Sequence, residues 1–270
     1  MAPLMNPLAE EFQRQVYRYE NTAAHNDRVF AEFTAATAAD PVLAEHRRYV
    51  EQNQLGFGDP AFHAMWQSLL ASAQDRFGSA EVLEIGVFKG QVVSLWALLA
   101  KTHGWPLRLH AITPFEGQPL PASRWWRRLQ VRLNPWFRAR ARSGDFYPED
   151  DYEQIVQRLF AHYGLDFGSV RWIRGYSNAP EVLAAVQSDR FDVIYIDGSH
   201  TYQAVCTDLA NYAPKVAPGG WLVMDDASYD LPGTAFWKGY ESVSRACLRL
   251  PGLGFKNVLN VGHNRIFEKK

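Results

Sequence analysis

Over roughly the first 75 residues, apolar positions recur at mixed three- and four-residue steps; beyond that point they gather into short runs separated by helix-length segments. The first pattern predicts helices over Glu10–Tyr19 and Ala23–Ala36, with Asp40-Pro41 opening another. Gly56 to Pro60 reads as a loop, in which Asp59 is expected to N-cap a helix over Ala61–Ala73 with Pro60 at its first position. The second pattern predicts strands at Glu81–Ile85, Leu107–Thr113, Val170–Arg174, Val193–Ile196 and Trp221–Met224. Between and after them come helices at Gln91–Lys101, Tyr152–Tyr163, from Pro180 to Ala185, and at Glu241–Leu248. Lys256–Asn260 and Arg265–Lys269 suggest a terminal β-hairpin around Gly262-His263-Asn264. Repeated strand–helix units imply an α/β chain with a mostly parallel, doubly wound sheet and an antiparallel pair at its edge. Residues 1–75 form a helical N-terminal extension, expected either to cap a pocket or to present the surface of a homo-oligomer. Residues 76–270 form the main domain, with an insertion at about 117–146.

Composition narrows this only a little. A chain of 270 residues, 47% hydrophobic and 21% charged, can bury a full core, and a net charge of −1 points to no polyanionic partner. Cys206 and Cys247 have neither disulfide nor zinc spacing, which fits buried thiols in a reducing compartment. The first residues lack a basic-then-apolar leader, and no run reaches the roughly 20 apolar residues of a membrane span. The expectation is a cytoplasmic protein with a small-molecule or glycan ligand.

Chemistry concentrates between Phe191 and Asp226. Two apolar runs each end in acid: Asp197 follows the first, and Asp225 and Asp226 follow the second. A helical crossover between them makes the strands parallel, so as neighbours they bring the three carboxylates to the carboxyl edge of the sheet. Carboxylates at such short range repel unless a cation lies among them, which makes this a candidate site for a hard divalent ion such as Mg²⁺. His200 lies three residues beyond Asp197, and an imidazole suits proton abstraction near neutral pH. The competing reading of His200 is a helix cap. The histidines at 25, 46, 63, 103, 110, 162 and 263 show no metal spacing and read as surface or core residues.

A second motif is Leu83-Glu84-Ile85-Gly86-Val87-Phe88-Lys89-Gly90, a strand running into a glycine turn and then a helix. Glycines let the backbone approach a ligand, and the helix start offers free N–H groups. The spacing is not that of a dinucleotide loop: Phe88 would crowd a pyrophosphate and Glu84 would repel one. Glu84 could instead receive a ligand's ammonium group.

On LEIGVFKG, on PFEG after the second strand, on RGYSNAP, and on IDGSH followed by PGGWLVMDD, the region from Glu81 to Lys270 resembles the class I S-adenosylmethionine-dependent methyltransferases. More narrowly it is similar to the metal-dependent O-methyltransferases, including the macrolide-sugar, antibiotic-tailoring and catechol-type enzymes. The resemblance implies a Rossmann-like methyltransferase fold that moves a methyl group to a hydroxyl of a sugar or polyol. It implies that Glu84, Gly86, Phe88 and Gly90 shape the methionine pocket, and that Ser177 and Asn178 lie by the adenine. It further implies that Asp197, Asp225 and Asp226 bind Mg²⁺ or a similar ion, with Asp197 also near the cofactor and His200 as the base. The family's ribose-binding acid is missing at the end of the second strand, where Thr113 stands and Glu116 follows three residues later. That departure leaves two alternatives: the scaffold repurposed for hydroxylation-associated tailoring, or non-catalytic binding.

One stretch stands apart. Between Ser123 and Ser143 lie seven arginines (124, 127, 128, 132, 138, 140, 142), three tryptophans (125, 126, 136) and no acid. It reads as a solvated helix face, as a lid over an anionic acceptor, or as a membrane or nucleic-acid contact. The acids at 149–151 could pair with these arginines in cis, which argues against nucleic acid.

Overall fold

The computed structural model describes residues 6–116, 124–135 and 151–270. Four helices come first: α1 (Pro7–Tyr17), α2 (Ala23–Ala39), α3 (Pro41–Gln52) and α4 (Ala61–Phe77). Then β1 (Glu81–Ile85), α5 (Gln91–His103) and β2 (Arg108–Thr113) alternate, followed by α6 (Arg124–Leu133) and α7 (Tyr152–His162). The rest is β3 (Arg171–Arg174), α8 (Pro180–Ala185), β4 (Phe191–Ile196), α9 (Tyr202–Tyr212), β5 (Val216–Met224), α10 (Glu241–Cys247), β6 (Phe255–Val261) and β7 (Asn264–Lys269).

Among the described residues, seven strands form one sheet in the order β3-β2-β1-β4-β5-β7-β6. The first five are parallel, and β7 and β6 add the antiparallel pair. Strand order reverses at β1, which has β2 on one side and β4 on the other, so a crevice opens above β1 and β4.

Side-chain alternation divides the core in two. Val82, Val193, Tyr195, Trp221 and Val223 face Phe12, Val29, Phe33, Leu43, Trp66 and Trp96 of α1 to α5. Leu83, Ile85, Ile194, Ile196, Leu222 and Met224 face Val205, Leu209, Val243 and Cys247 of α9 and α10. Glu84 shares the parity of Val82, Asp197 that of Tyr195, and Asp225 that of Val223. The same alternation therefore turns all three acids toward the face covered by the N-terminal helices.

Several expectations are corrected. α1 begins three residues earlier than expected because Asn6 caps it, accepting a hydrogen bond from the Leu8 N–H at 3.0 Å. Asp59 does not cap α4, which starts without a side-chain cap; its carboxylate lies 3.7 Å from His263 Nδ1. Pro218-Gly219-Gly220 does not end before the strand. It lies inside β5 as an irregularity where the β4 register shifts, with Gly219 at φ 74°. On α6, Trp125 and Leu133 are exposed. The remaining residues expected to form the insertion, 117–123 and 136–146, lie outside the described residues. Among the described residues no helix is long and apolar enough to cross a membrane.

The N-terminal helices also bury a histidine pair. His46 Nδ1 lies 3.0 Å from His63 Nε2, and His46 Nε2 lies 3.1 Å from Ser94 Oγ. Both rings are fully buried, and burial pushes their pKa values down, His46 to about 3 and His63 well below its ordinary range. Below about pH 6.5 the unfolded chain protonates these rings while the folded chain resists, so stability falls as pH drops toward 3. The slope approaches about 1.4 kcal/mol per pH unit for each ring. Burial raises the carboxyl pKa values of Glu84, Asp197 and Asp208, which gives the opposite pH dependence. The measurement is therefore a comparison of urea midpoints from pH 7.5 to 4.5 for wild type and His46→Gln. The wild type should lose more stability over that range; parallel curves would refute the assignment.

Candidate active site

The crevice is assembled by hydrogen bonds that carry the sheet one residue past its strands. The N–H groups of Asp197, Asp225 and Gly86 donate to the carbonyls of Ile85, Ile196 and Ile112 at 2.9, 3.0 and 3.1 Å. The loops leaving β1, β4 and β5 thus start side by side, and their acids converge as the alternation requires. Gly86 makes this possible. It sits at φ 96°, and a Cβ there would lie 1.9 Å from the Asp197 carbonyl oxygen, a backbone atom that cannot swing away. Gly86→Ala should cost roughly 3 kcal/mol or more of stability from strain and overlap together. Urea unfolding checks this, and a wild-type midpoint would contradict the close approach.

Two adjoining cavities share Gly86, Phe88 and Asp197. The larger, of about 540 Å³, has Glu84, Asp197, Asp225, Asp226, His200 and His263 in its wall. Its rim includes the exposed rings of Phe57, Trp237 and Tyr240. The smaller, of about 440 Å³, is lined by Thr113, Glu116, Tyr176, Ser177, Asn178 and Asp208. Among the described residues, neither cavity has a lysine or arginine in its lining.

Glu84 is fully buried, and its Oε2 has no hydrogen-bond partner. Burial, opposed only in part by the Val93 N–H, pushes its carboxyl well above the usual range. A group so placed gains most from a cationic ligand that donates hydrogen bonds. Phe88 adopts φ 50° at the turn and packs near Phe57 and Tyr152. Gly90 lines neither cavity: it N-caps α5 at φ 89°, where a Cβ would lie 3.0 Å from Val156.

In the smaller cavity, Thr113 Oγ1 accepts the Phe115 N–H at 3.1 Å, capping a turn whose Phe115 sits at φ 52°. Its hydroxyl is tied to its own loop, and Glu116 is the nearby carboxylate in the wall. Ser177 Oγ donates to Asp208 Oδ1 at 2.6 Å, and Tyr212 donates to the Ser177 carbonyl at 2.6 Å. Asp208 is buried, and its carboxyl is pushed up to about 6.

At the acid cluster, burial and then Asp225 and Asp226 push the Asp197 carboxyl well up. Burial also opposes ionisation of Asp225. Contact with His263 and hydrogen bonds from Asp197 and Tyr195 outweigh that and hold its carboxyl low. Asp226 Oδ2 lies 3.0 Å from His200 Nε2, and the His200 ring stacks on Tyr240 at 4.4 Å. Asp226 itself is strained at φ 53° and is fixed by the Tyr240 N–H, which donates to its carbonyl at 2.9 Å.

His263, read from the sequence as a surface or core residue, belongs to this cluster. Its Nε2 lies 3.3 Å from Asp225 Oδ1 and 3.6 Å from Asp226 Oδ1. Its carbonyl accepts the Ala227 N–H at 2.8 Å. Among the described residues, Asp225, Asp226 and His263 are the set of three whose donor atoms all lie within 4.8 Å of one another. Asp197 stands beside that set, its Oδ2 3.4 Å from the Tyr195 hydroxyl. Placement of the sequence-derived residues is therefore uneven: Glu84, Gly86, Phe88, Asp197, His200, Asp225 and Asp226 meet in one cavity, and Thr113, Ser177 and Asn178 in its neighbour.

Residues 83–227, just over half of the chain, match the family model described as a methyltransferase domain. A curated relative from Streptomyces olivaceus, 8-demethyl-8-(2,3-dimethoxy-alpha-L-rhamnosyl)-tetracenomycin-C 4'-O-methyltransferase, is 29% identical over 101 residues. That match spans 37% of this chain and 38% of the relative. The fold is shared with the O-methyltransferase NovP, at TM-score 0.53 and 18% identity over 77% of this chain and 79% of that one. It is also shared with CalS11, a calicheamicin methyltransferase, at TM-score 0.53 and 15% identity over 94% and 96%. A putative caffeoyl-CoA O-methyltransferase from Staphylococcus aureus gives TM-score 0.55 and 15% identity over 86% and 92%. With its sheet order, its glycine turn and more than half its length matched, the chain belongs to the methyltransferase-domain family.

Proposed function

We propose that this chain is a divalent-metal-dependent O-methyltransferase that takes its methyl group from S-adenosylmethionine and places it on a hydroxyl of a sugar or polyol in a natural product or glycan. The observation that carries the reading is the convergence of Glu84, three aspartates and His200 on one crevice whose described lining holds no lysine or arginine.

The residues fit the cofactor's parts. Glu84, buried with an unpartnered oxygen, would receive the amino-acid ammonium, and the Gly86 turn would lie against the methionine moiety. Asn178 and Asp208 would face the adenine, since the Ser177 hydroxyl is engaged by Asp208; Glu116 or Thr113 would face the ribose. Bound there, S-adenosylmethionine supplies an electrophilic methyl carbon. The acid cluster fits a divalent cation, which lowers the pKa of an acceptor hydroxyl and orients it. Asp197, Asp225 and Asp226 are the acids available to hold it.

The chain's own groups would then do three things. The aspartates fix where the acceptor oxygen sits, which matters because methyl transfer gains most from in-line approach. Asp226, hydrogen-bonded to His200 Nε2, leaves Nδ1 as the nitrogen able to accept the hydroxyl proton. Phe57, Trp237 and Tyr240 offer flat apolar surfaces to an acceptor ring at the mouth. The relatives that modify rhamnosyl and calicheamicin compounds support a sugar-bearing acceptor. The arginines of the 124–142 stretch would suit carboxylate or phosphate groups on it.

Calorimetric titration with S-adenosylmethionine, with and without divalent ion, tests the reading first. Binding in the micromolar range followed by methyl transfer to sugar or polyol acceptors is expected. Absence of binding under both conditions would sink it in favour of a repurposed scaffold.

A further inference from the structure

We propose that His263 is a metal ligand. With Asp225 and Asp226 it would build a mixed nitrogen–oxygen site that selects a first-row transition ion over Mg²⁺. This rests on the methyltransferase reading above and assigns the class of its ion.

Three features carry it. First, the donors have suitable spacing. Cis ligands each about 2.1 Å from a common ion are about 3 Å apart; Nε2 lies 3.3 and 3.6 Å from the two aspartate oxygens. Second, the short contact to Asp225 is not a formed hydrogen bond. Asp225 Oδ1 and His263 Nδ1 are both buried without a hydrogen-bond partner, and Asp59 Oδ2, likewise buried and unpartnered, lies 3.7 Å from Nδ1. Metal-bound histidines commonly turn their second nitrogen toward a carboxylate, the place Asp59 holds here. Nε2 faces an oxygen of each aspartate across gaps that an ion would bridge. Third, the ring is held rather than loose. Phe62 packs edge-on at 4.5 Å, Trp237 lies at 5.2 Å, and the Ala227 N–H anchors the backbone.

The chemistry of the donor set follows. Mg²⁺ prefers oxygen ligands and retained water, whereas imidazole raises affinity for Mn²⁺, Fe²⁺, Co²⁺ and Zn²⁺. A cluster of aspartates alone would leave Mg²⁺ competitive; His263 tips the balance.

The test uses the full chain freed of metal by chelation and dialysis, titrated calorimetrically with MnCl₂, CoCl₂ and MgCl₂. Mn²⁺ or Co²⁺ should bind at least about tenfold more tightly than Mg²⁺. Pulsed EPR of the Mn²⁺-loaded protein should show ¹⁴N coupling that survives in His200→Ala and disappears in His263→Gln. In His263→Gln the preference over Mg²⁺ should shrink to within about threefold, while S-adenosylmethionine still binds. Should that variant fail to fold, wild type grown with ¹⁵N-histidine must convert the coupling to a ¹⁵N pattern. Equal affinity for Mg²⁺ and Mn²⁺ in wild type, or ¹⁴N coupling persisting in His263→Gln, would overturn the assignment. Metal selectivity and nitrogen coupling without any S-adenosylmethionine binding would support this site and refute the methyltransferase reading instead.

Discussion

Asp225→Ala is expected to remove divalent-ion dependence and to reduce methyl transfer by roughly 10³-fold or more. The size follows from the several kcal/mol that a Lewis-acidic ion contributes to charge stabilisation, at about 1.4 kcal/mol per decade of rate. Asp225 is the most exacting of the three acids to replace. It follows β5 directly, its N–H continues the β4–β5 ladder, and its carboxylate stays ionised through contact with His263 despite burial. One oxygen of Asp226, by contrast, already faces His200. Without Asp225 the cluster keeps Asp197 and Asp226, the second with one oxygen already facing His200, too little to hold a weakly chelated ion at physiological concentration. S-Adenosylmethionine affinity should change little, because in the proposed function Glu84 and the Gly86 turn would meet the cofactor elsewhere in the crevice. The assay is initial-rate methyl transfer over a range of metal concentrations, with a chelator control. Equal turnover of wild type and variant in the presence of chelator would exclude a metal mechanism.

The legible part of this site is what local sequence dictates. Period-two alternation in β1, β4 and β5 and the helical crossover between β4 and β5 suffice to put Glu84, Asp197 and Asp225 on one face of the sheet. His200 is tied to Asp197 by a three-residue loop, so it travels with it. His263 was hidden for a topological reason. It lies 37 residues after Asp226 and reaches it only because β7 inserts antiparallel between β5 and β6, which brings the Gly262-His263 turn back to the β5 end. The hairpin was visible in the sequence; the pairing that aims its turn at the acids was not. Asp59 looked like a helix cap because Asp-Pro before an apolar run usually is one, yet packing of α4 turns its carboxylate toward His263. Thr113 posed the converse problem. Its missing charge was plain, but only the fold reveals that its hydroxyl caps the Phe115 turn while Glu116 reaches the cavity wall.

His200→Ala is expected to lower the rate by 10²–10⁴-fold, the usual contribution of a positioned general base. The ring is half-buried, stacked on Tyr240 and hydrogen-bonded through Nε2 to Asp226, so its orientation is set by two independent contacts. Only Nδ1 is then left to meet an acceptor hydroxyl, and a purely helix-capping histidine would need neither contact. Thr201 in fact N-caps α9, accepting from the Ala204 N–H, so the capping role is already filled by its neighbour. A loss of rate alone would not separate base from scaffold, because the Asp226 contact also helps fix an acid of the cluster. The distinguishing measurement is the pH–rate profile. If His200 accepts the proton, the acidic limb of kcat/KM should disappear in His200→Ala and return in part when imidazole is added. His200→Gln can still hydrogen-bond Asp226 but cannot accept a proton at neutral pH, so it should remain as slow as the alanine variant. Near wild-type activity in His200→Gln would make the residue a support for Asp226, and the base would have to be sought among the carboxylates of the same wall.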